Sequence, residues 1–166
     1  MASICCKTTE LSVNILFIGD AAVLYGEIGP LNATSQSAGF DLCAAFPVSA
    51  STETEWTVLP GERLLVPTGI AIEPLEPEVA GFVYSRSGLG AAKGLTVAQG
   101  VGIIDPDYRG EILVYLLNTS SSPISLQRGD RIAQLVFQAF RRPRWRRCEQ
   151  LGETDRGTGG FGHTGQ

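Results

Sequence analysis

Histidine is nearly absent: His163 stands alone among 166 residues, three positions from the end. That scarcity excludes multi-histidine zinc sites, and a Ser-His-Asp triad would have to take its base from the last few residues. The four cysteines, Cys5, Cys6, Cys43 and Cys148, include an adjacent pair but none of the two-residue spacings of zinc or redox motifs, so they read as reduced thiols. No apolar run approaches the ~20 residues of a membrane span. Met1 to Lys7 lacks a basic start followed by an apolar stretch, so no signal peptide is expected. Charged residues are only 18%, and 13 Lys+Arg against 17 Asp+Glu leave a net charge of -4, which argues against general nucleic-acid binding. There is no Gly-x-x-x-x-Gly-Lys-Ser/Thr loop, so phosphate chemistry of the P-loop kind is excluded. These absences point to an intracellular protein, in nucleus or cytoplasm, neither secreted nor membrane-bound. The acceptor triplets at Asn32 and Asn118 then read as chance.

What is plentiful is glycine, at 20, and proline, at 9, in a chain that is 43% hydrophobic. That combination describes a folded, turn-rich single domain. Short segments rich in β-branched and aromatic residues recur: Val13 to Ile18, Phe40 to Ala45, Trp56 to Leu59, Gly69 to Ile72, Val79 to Tyr84, Glu111 to Leu117, Ile124 to Leu126 and Ile132 to Phe140. Pro60-Gly61, Pro67-Thr68-Gly69, Asp105-Pro106-Asp107 and Arg128-Gly129-Asp130 punctuate them as turns. Many strands at spacings of about 8 to 12 residues predict an all-β sandwich or jelly roll. One short helix is expected after Ser87, through Gly88 to Lys93. Arg141 to Arg147 holds five arginines, and Pro143 limits it to an edge strand or no strand. Residues 1–150 read as one β domain and 151–166 as a polar, Gly-rich, flexible arm.

Five polar segments stand out. Ser37 to Leu42 places Asp41 at the start of an apolar run, where a capped turn is as good a reading as a site. Tyr84 to Gly90 gathers hydroxyls, Arg86 and glycine amides at a strand end, a chemistry suited to phosphate oxygens. Gly100 to Glu111 joins an apolar strand to a turn carrying Asp105, Asp107, Tyr108 and Arg109, and its glycines allow close backbone approach; a hairpin with exposed acids is the simpler alternative. Arg128 to Leu135 enters a buried strand in which the Gln134 amide needs a partner. Asp155 to Gly165 offers Arg156, Phe161 and free amides on a flexible arm able to fold over a nucleotide.

In order and spacing these segments resemble the five motifs of the homotrimeric dUTPase family, over roughly residues 11 to 166. The resemblance implies a jelly-roll, dUTPase-like β-barrel or sandwich and a threefold homotrimer with sites at subunit interfaces. The arm of one subunit would close a site formed by others. It implies hydrolysis of dUTP to dUMP and diphosphate by water attack on the α-phosphorus. That activity limits uracil incorporation into DNA and supplies dUMP for dTTP synthesis.

Residue by residue, the resemblance makes Asp105 the catalytic general base. It puts Tyr108 against the deoxyribose, where the ring excludes a 2'-hydroxyl. It assigns the uracil edge to backbone groups over Gln99 to Ile104, with Gly100, Val101, Gly102 and Ile104 at the base. Arg86, Ser87, Gly88 and Gln134 would hold phosphates, as would Arg156, Gly160, Gly162 and Thr164 of the arm, with Phe161 stacked on uracil. Mg2+ would sit on the phosphates, supported by Asp41 through water. Three positions depart from the family pattern: Ser85 replaces the usual proline, Gln99 an asparagine of some members, and His163 a serine of others. A non-catalytic binding or signalling protein of the same fold, or a dCTP deaminase relative, remain the alternatives.

Overall fold

The computed structural model describes residues 10–26, 29–30, 32, 34–47 and 55–160. Within them the chain forms β1 (Val13–Phe17), α1 (Ala22–Tyr25), β2 (Phe40–Cys43), β3 (Glu55–Val58), β4 (Arg63–Pro67), β5 (Ile70–Pro74) and β6 (Val79–Tyr84). There follow α2 (Ser87–Lys93), β7 (Leu95–Val97), β8 (Val101–Ile104), β9 (Leu113–Asn118), β10 (Ile124–Gln127) and β11 (Arg131–Ala139). The all-β jelly-roll expectation holds, as does the helix after Ser87. The single turn α1 adds a second, unforeseen helical element.

Every strand pair is antiparallel, in sheets of order β1-β5, β10-β3, β2-β11-β6-β8 and β4-β9-β7. The strands are half-buried or doubly buried surfaces that β-branched and aromatic residues fit. Leu42, Val66, Ile70, Leu95, Leu116 and Leu126, from six different strands, are at most 1% exposed and meet in one core. Burying a side chain of this size contributes about 1.5–3 kcal/mol. Phe46 stacks on Trp56 with ring centroids 3.7 Å apart, the closest ring pair among the described residues.

Among the described residues two polar ones, Thr68 and Asn118, lie fully inside, and both are satisfied. Asn118 donates through Nδ2 to the carbonyls of Val58 and Ser122, each at 2.8 Å, while its Oδ1 accepts from the backbone N–H and hydroxyl of Ser120. Thr68 donates its hydroxyl to the Ile112 carbonyl at 2.7 Å. Asn118 is 0% exposed, so the acceptor triplet there is inaccessible, in agreement with its reading as chance. Tyr25 ties α1 to the core: its hydroxyl donates to the Thr68 carbonyl at 2.7 Å and accepts from the Cys43 N–H at 2.9 Å. Cys43 is a buried free thiol and Cys148 an exposed one; Cys5 and Cys6 lie outside the described residues.

Arg141 to Arg147 forms no strand and is exposed throughout, with Trp145 at 88% exposure. Near its start Arg142 lies over the Phe140 ring and donates to the Pro77 carbonyl. Among the described residues no helix is long and apolar enough to cross a membrane.

Candidate active site

β11 sits between β2 and β6, and that arrangement assembles three of the polar segments. The register places Gln134 opposite both Asp41 and Tyr84. At the same sheet end Asp41, Arg86, Ser87, Gly88 and Gln134 line a cleft of about 370 Å3 with Ser37, Ala38, Gly39 and Val136. A larger apolar groove of about 600 Å3, lined by residues such as Val13, Phe40 and Phe137, carries none of these groups.

The cleft is organised by Asp41. Its Oδ1 takes Arg86 Nε at 2.7 Å and its Oδ2 takes Arg131 Nη1 at 3.0 Å. Arg86 also donates from Nη1 to the Arg131 carbonyl at 3.0 Å. Asp41 is therefore an arginine organiser and not a turn cap. A register shift between Arg131 and Ala133 marks a bulge in β11, a device that re-aims a side chain at a strand end. Arg131 lies within the fourth segment, and only the pairing of β11 with β2 brings it to Asp41.

Gln134 finds the partner its burial demanded, its Nε2 donating to the Ser85 carbonyl at 3.0 Å. A Cβ at Gly39 would stand 2.6 Å from Gln134 Oε1, so glycine at that position makes room for the amide. Ser85, where proline was the family expectation, accepts the Val97 N–H on its hydroxyl at 2.8 Å and so ties β6 to β7. Arg86 caps α2 without a side-chain hydrogen bond, leaving the exposed Ser87 and Gly88 at the helix start with no capping side chain.

The third segment lies elsewhere. β8 pairs with β6 alone and is the edge of the four-stranded sheet, with Val101 and Ile103 exposed and Gly102 buried against Val83. Gln99 and Gly100 form the exposed turn into it, Gly100 at φ 82. Half-buried Ile104 ends the strand, and the exposed Asp105 begins a turn in which the Tyr108 N–H donates to the Asp105 carbonyl at 3.0 Å. Arg109 clamps that turn, donating to the Pro106 carbonyl at 2.8 Å and to Glu73 Oε1 at 2.7 Å, while Gly69 N–H donates to Glu111 Oε1 at 2.7 Å. The Asn14 amide on its Oε2, followed by the Arg109 guanidinium, holds the Glu73 carboxyl below the usual value.

Ile104 pairs with Gly81 and Val101 with Tyr84, so Asp105 leaves the sheet at the end of β6 opposite to the one from which the chain runs on to Arg86. Within one chain the Asp105 turn and the arginine cleft thus lie apart. Arg156 and Gly160 of the arm are exposed, Arg156 Nε donating to the Gly159 carbonyl at 3.0 Å. Phe161, Gly162 and Thr164 lie outside the described residues. No group of three or more His, Cys, Asp or Glu that could hold a metal occurs among the described residues.

A dUTPase family model matches residues 28–165. The deoxyuridine 5'-triphosphate nucleotidohydrolase of Desulfitobacterium hafniense is 48% identical over 136 residues, 82% of this chain and 86% of the relative. That of Actinobacillus pleuropneumoniae is 43% identical over 152 residues, 89% and 97% of the two chains. Among solved structures, the dUTPase of Streptococcus mutans is 27% identical with a TM-score of 0.63 over 79% of this chain and 98% of its own. A Staphylococcus bacteriophage 80alpha dUTPase mutant with dUpNHpp has a TM-score of 0.77 at 18% identity, over 93% of this chain and 99% of its own, a likeness of fold. With the family pattern spanning most of the sequence and relatives above 40% identity along nearly their whole length, the chain belongs to the dUTPase family.

Proposed function

We infer that the protein hydrolyses dUTP to dUMP and diphosphate, inside the cell, at sites shared between subunits of a homotrimer. The observation that carries the shared site is the separation within one chain of the Asp105 turn from the Arg86 cleft. Neither half-site suffices alone, and a second copy supplies the missing half through a symmetric, head-to-tail contact.

In this reading the substrate's phosphates lie in the cleft against Arg86, the Ser87 hydroxyl, the first amides of α2 and the Gln134 amide. Asp41 fixes the arginine fork, so the cleft is preorganised before the anion arrives. The unpaired edge of β8 offers backbone donors and acceptors to the uracil edge, where a mismatched base would leave a polar group unsatisfied at about 1–3 kcal/mol. Tyr108 packs on the deoxyribose. Asp105, on a turn clamped through Arg109 to β5, orients a water and takes its proton as the oxygen attacks the α-phosphorus; diphosphate leaves. The arm, residues 151–166, closes from a further subunit, with Arg156, Gly160, Gly162 and Thr164 on phosphates and Phe161 on the base, excluding other water.

The donor set suits a hydrated Mg2+ held by the phosphates: both Asp41 oxygens face guanidinium groups, yet each retains acceptor capacity for a metal-bound water. Such an ion would supply charge neutralisation and fix the triphosphate's conformation.

The test is diphosphate release from dUTP, dTTP, dCTP and UTP with Mg2+, before and after EDTA, for wild type and Asp105→Asn. Release from dUTP alone, stopped by EDTA and abolished in a folded Asp105→Asn trimer, is expected. A folded trimer inert toward all four would favour the non-catalytic reading, and wild-type turnover in Asp105→Asn would remove Asp105 as base.

A further inference from the structure

We propose that Gly110 sets the sugar specificity of this site by leaving empty the space into which the Tyr108 ring is folded; the proposal rests on Tyr108 as the sugar gate. Glycine in a turn is required either by a left-handed backbone or by close approach of another group. Gly110 is not among the positive-φ glycines, so a left-handed backbone is not what calls for glycine there. Close approach is what the structure shows. A Cβ at Gly110 would overlap the Tyr108 hydroxyl and stand 2.5 Å from Cζ and 3.0 Å from Cε2.

The far end of the ring therefore lies on the glycine, where the hydroxyl donates to the Glu111 carbonyl at 3.0 Å. Relieving the overlap demands a displacement of about 1 Å to reach ordinary carbon contact. Tyr108 is 44% exposed and has room to give way. The turn does not depend on it alone: Arg109 bonds to Pro106 and Glu73, and Glu111 holds the Gly69 N–H. An alanine would thus keep the turn and Asp105 while moving the ring out of its seat. Gly110 touches neither substrate nor reacting atoms; it is a positioning residue acting through Tyr108.

The experiment compares kcat/KM for dUTP and UTP in full-length wild type, Gly110→Ala, Tyr108→Ala and the double variant, with unfolding midpoints measured in parallel. The UTP-to-dUTP ratio should rise on the order of tenfold in Gly110→Ala, within the roughly hundredfold that steric rejection of one hydroxyl supplies. It should rise in Tyr108→Ala as well, and the double variant should equal Tyr108→Ala, since the glycine acts only through the ring. An unchanged ratio in Tyr108→Ala would remove the sugar gate and this proposal with it. A raised ratio there with none in Gly110→Ala, or a double variant exceeding Tyr108→Ala, would overturn the proposal alone. A Gly110→Ala chain that fails to fold would contradict the claim that the ring yields and not the backbone.

Discussion

Replacing Asp41 with asparagine tests whether this carboxylate organises the phosphate cleft or merely burdens it with charge. Asparagine keeps the shape but turns an NH2 toward one of two arginines that both need an acceptor. The Arg86 contact, at 2.7 Å with the two side chains 26% and 17% exposed, is the stronger. Made charge to charge it contributes about 2 kcal/mol, and to a neutral amide about half of that. Arg131 is 55% exposed, so its contact contributes under about 1 kcal/mol after solvent screening. The variant should lose about 1.5 kcal/mol in urea unfolding. Arg86 is then no longer held for the substrate, and KM for dUTP should rise about tenfold, the kinetic equivalent of some 1.4 kcal/mol. kcat should change little, because Asp105 sits on another element. If the carboxylate acted only by repelling phosphate, its removal would lower KM. A fall in KM, or wild-type KM and stability together, would refute the organising role.

Burial pushes the Tyr25 phenol far above its ordinary value, and burial followed by Asp41 raises the Cys43 thiol. Both groups hold their protons more tightly folded than unfolded. The stability they contribute is therefore complete below their unfolded pKa values and lost as pH rises toward the folded ones. Above about pH 10 stability should fall by up to ~1.4 kcal/mol per pH unit for Tyr25; Tyr25→Phe should flatten that slope in melts between pH 9 and 11, roughly the range set by the unfolded groups. A chain ending at residue 150 should melt like wild type, since the arm's hydrogen bonds within the described residues are to itself. It should nevertheless hydrolyse dUTP at a small fraction of the normal rate, and full activity would remove the arm from the site.

Much of this molecule was legible in its residues, for physical reasons. Long alternating segments such as Val79 to Tyr84 and Ile132 to Phe140 declared themselves as strands because one or both faces had to be buried. β4 and β7 did not. Arg63 to Pro67 is bracketed by Pro60-Gly61 and Pro67-Thr68-Gly69, which read as continuous turn, and Leu95 to Val97 has only three residues. α1 carries no side-chain cap and no charged end to announce it. The segments around Asp41, Arg86 and Gln134 could be ordered along the chain but not joined. Their meeting depends on β11 entering between β2 and β6, a non-local pairing. Arg131 escaped notice for the same reason: its partner is 90 residues away. Ser85 departs from the family pattern, and the structure gives it a task that a proline side chain cannot perform, since its hydroxyl accepts the Val97 N–H.

The shared site is tested most directly by mixing two inactive variants, Asp105→Asn and Arg86→Ala, unfolding and refolding them together, and assaying diphosphate release from dUTP. If the acid and the arginine of a site come from different subunits, each mixed trimer carries one complete site. Equal mixing should then restore about a quarter of wild-type activity under random threefold assembly. If both groups serve the same site from one chain, no subunit holds an intact pair. Mixed trimers that form yet stay inactive would contradict the interfacial site.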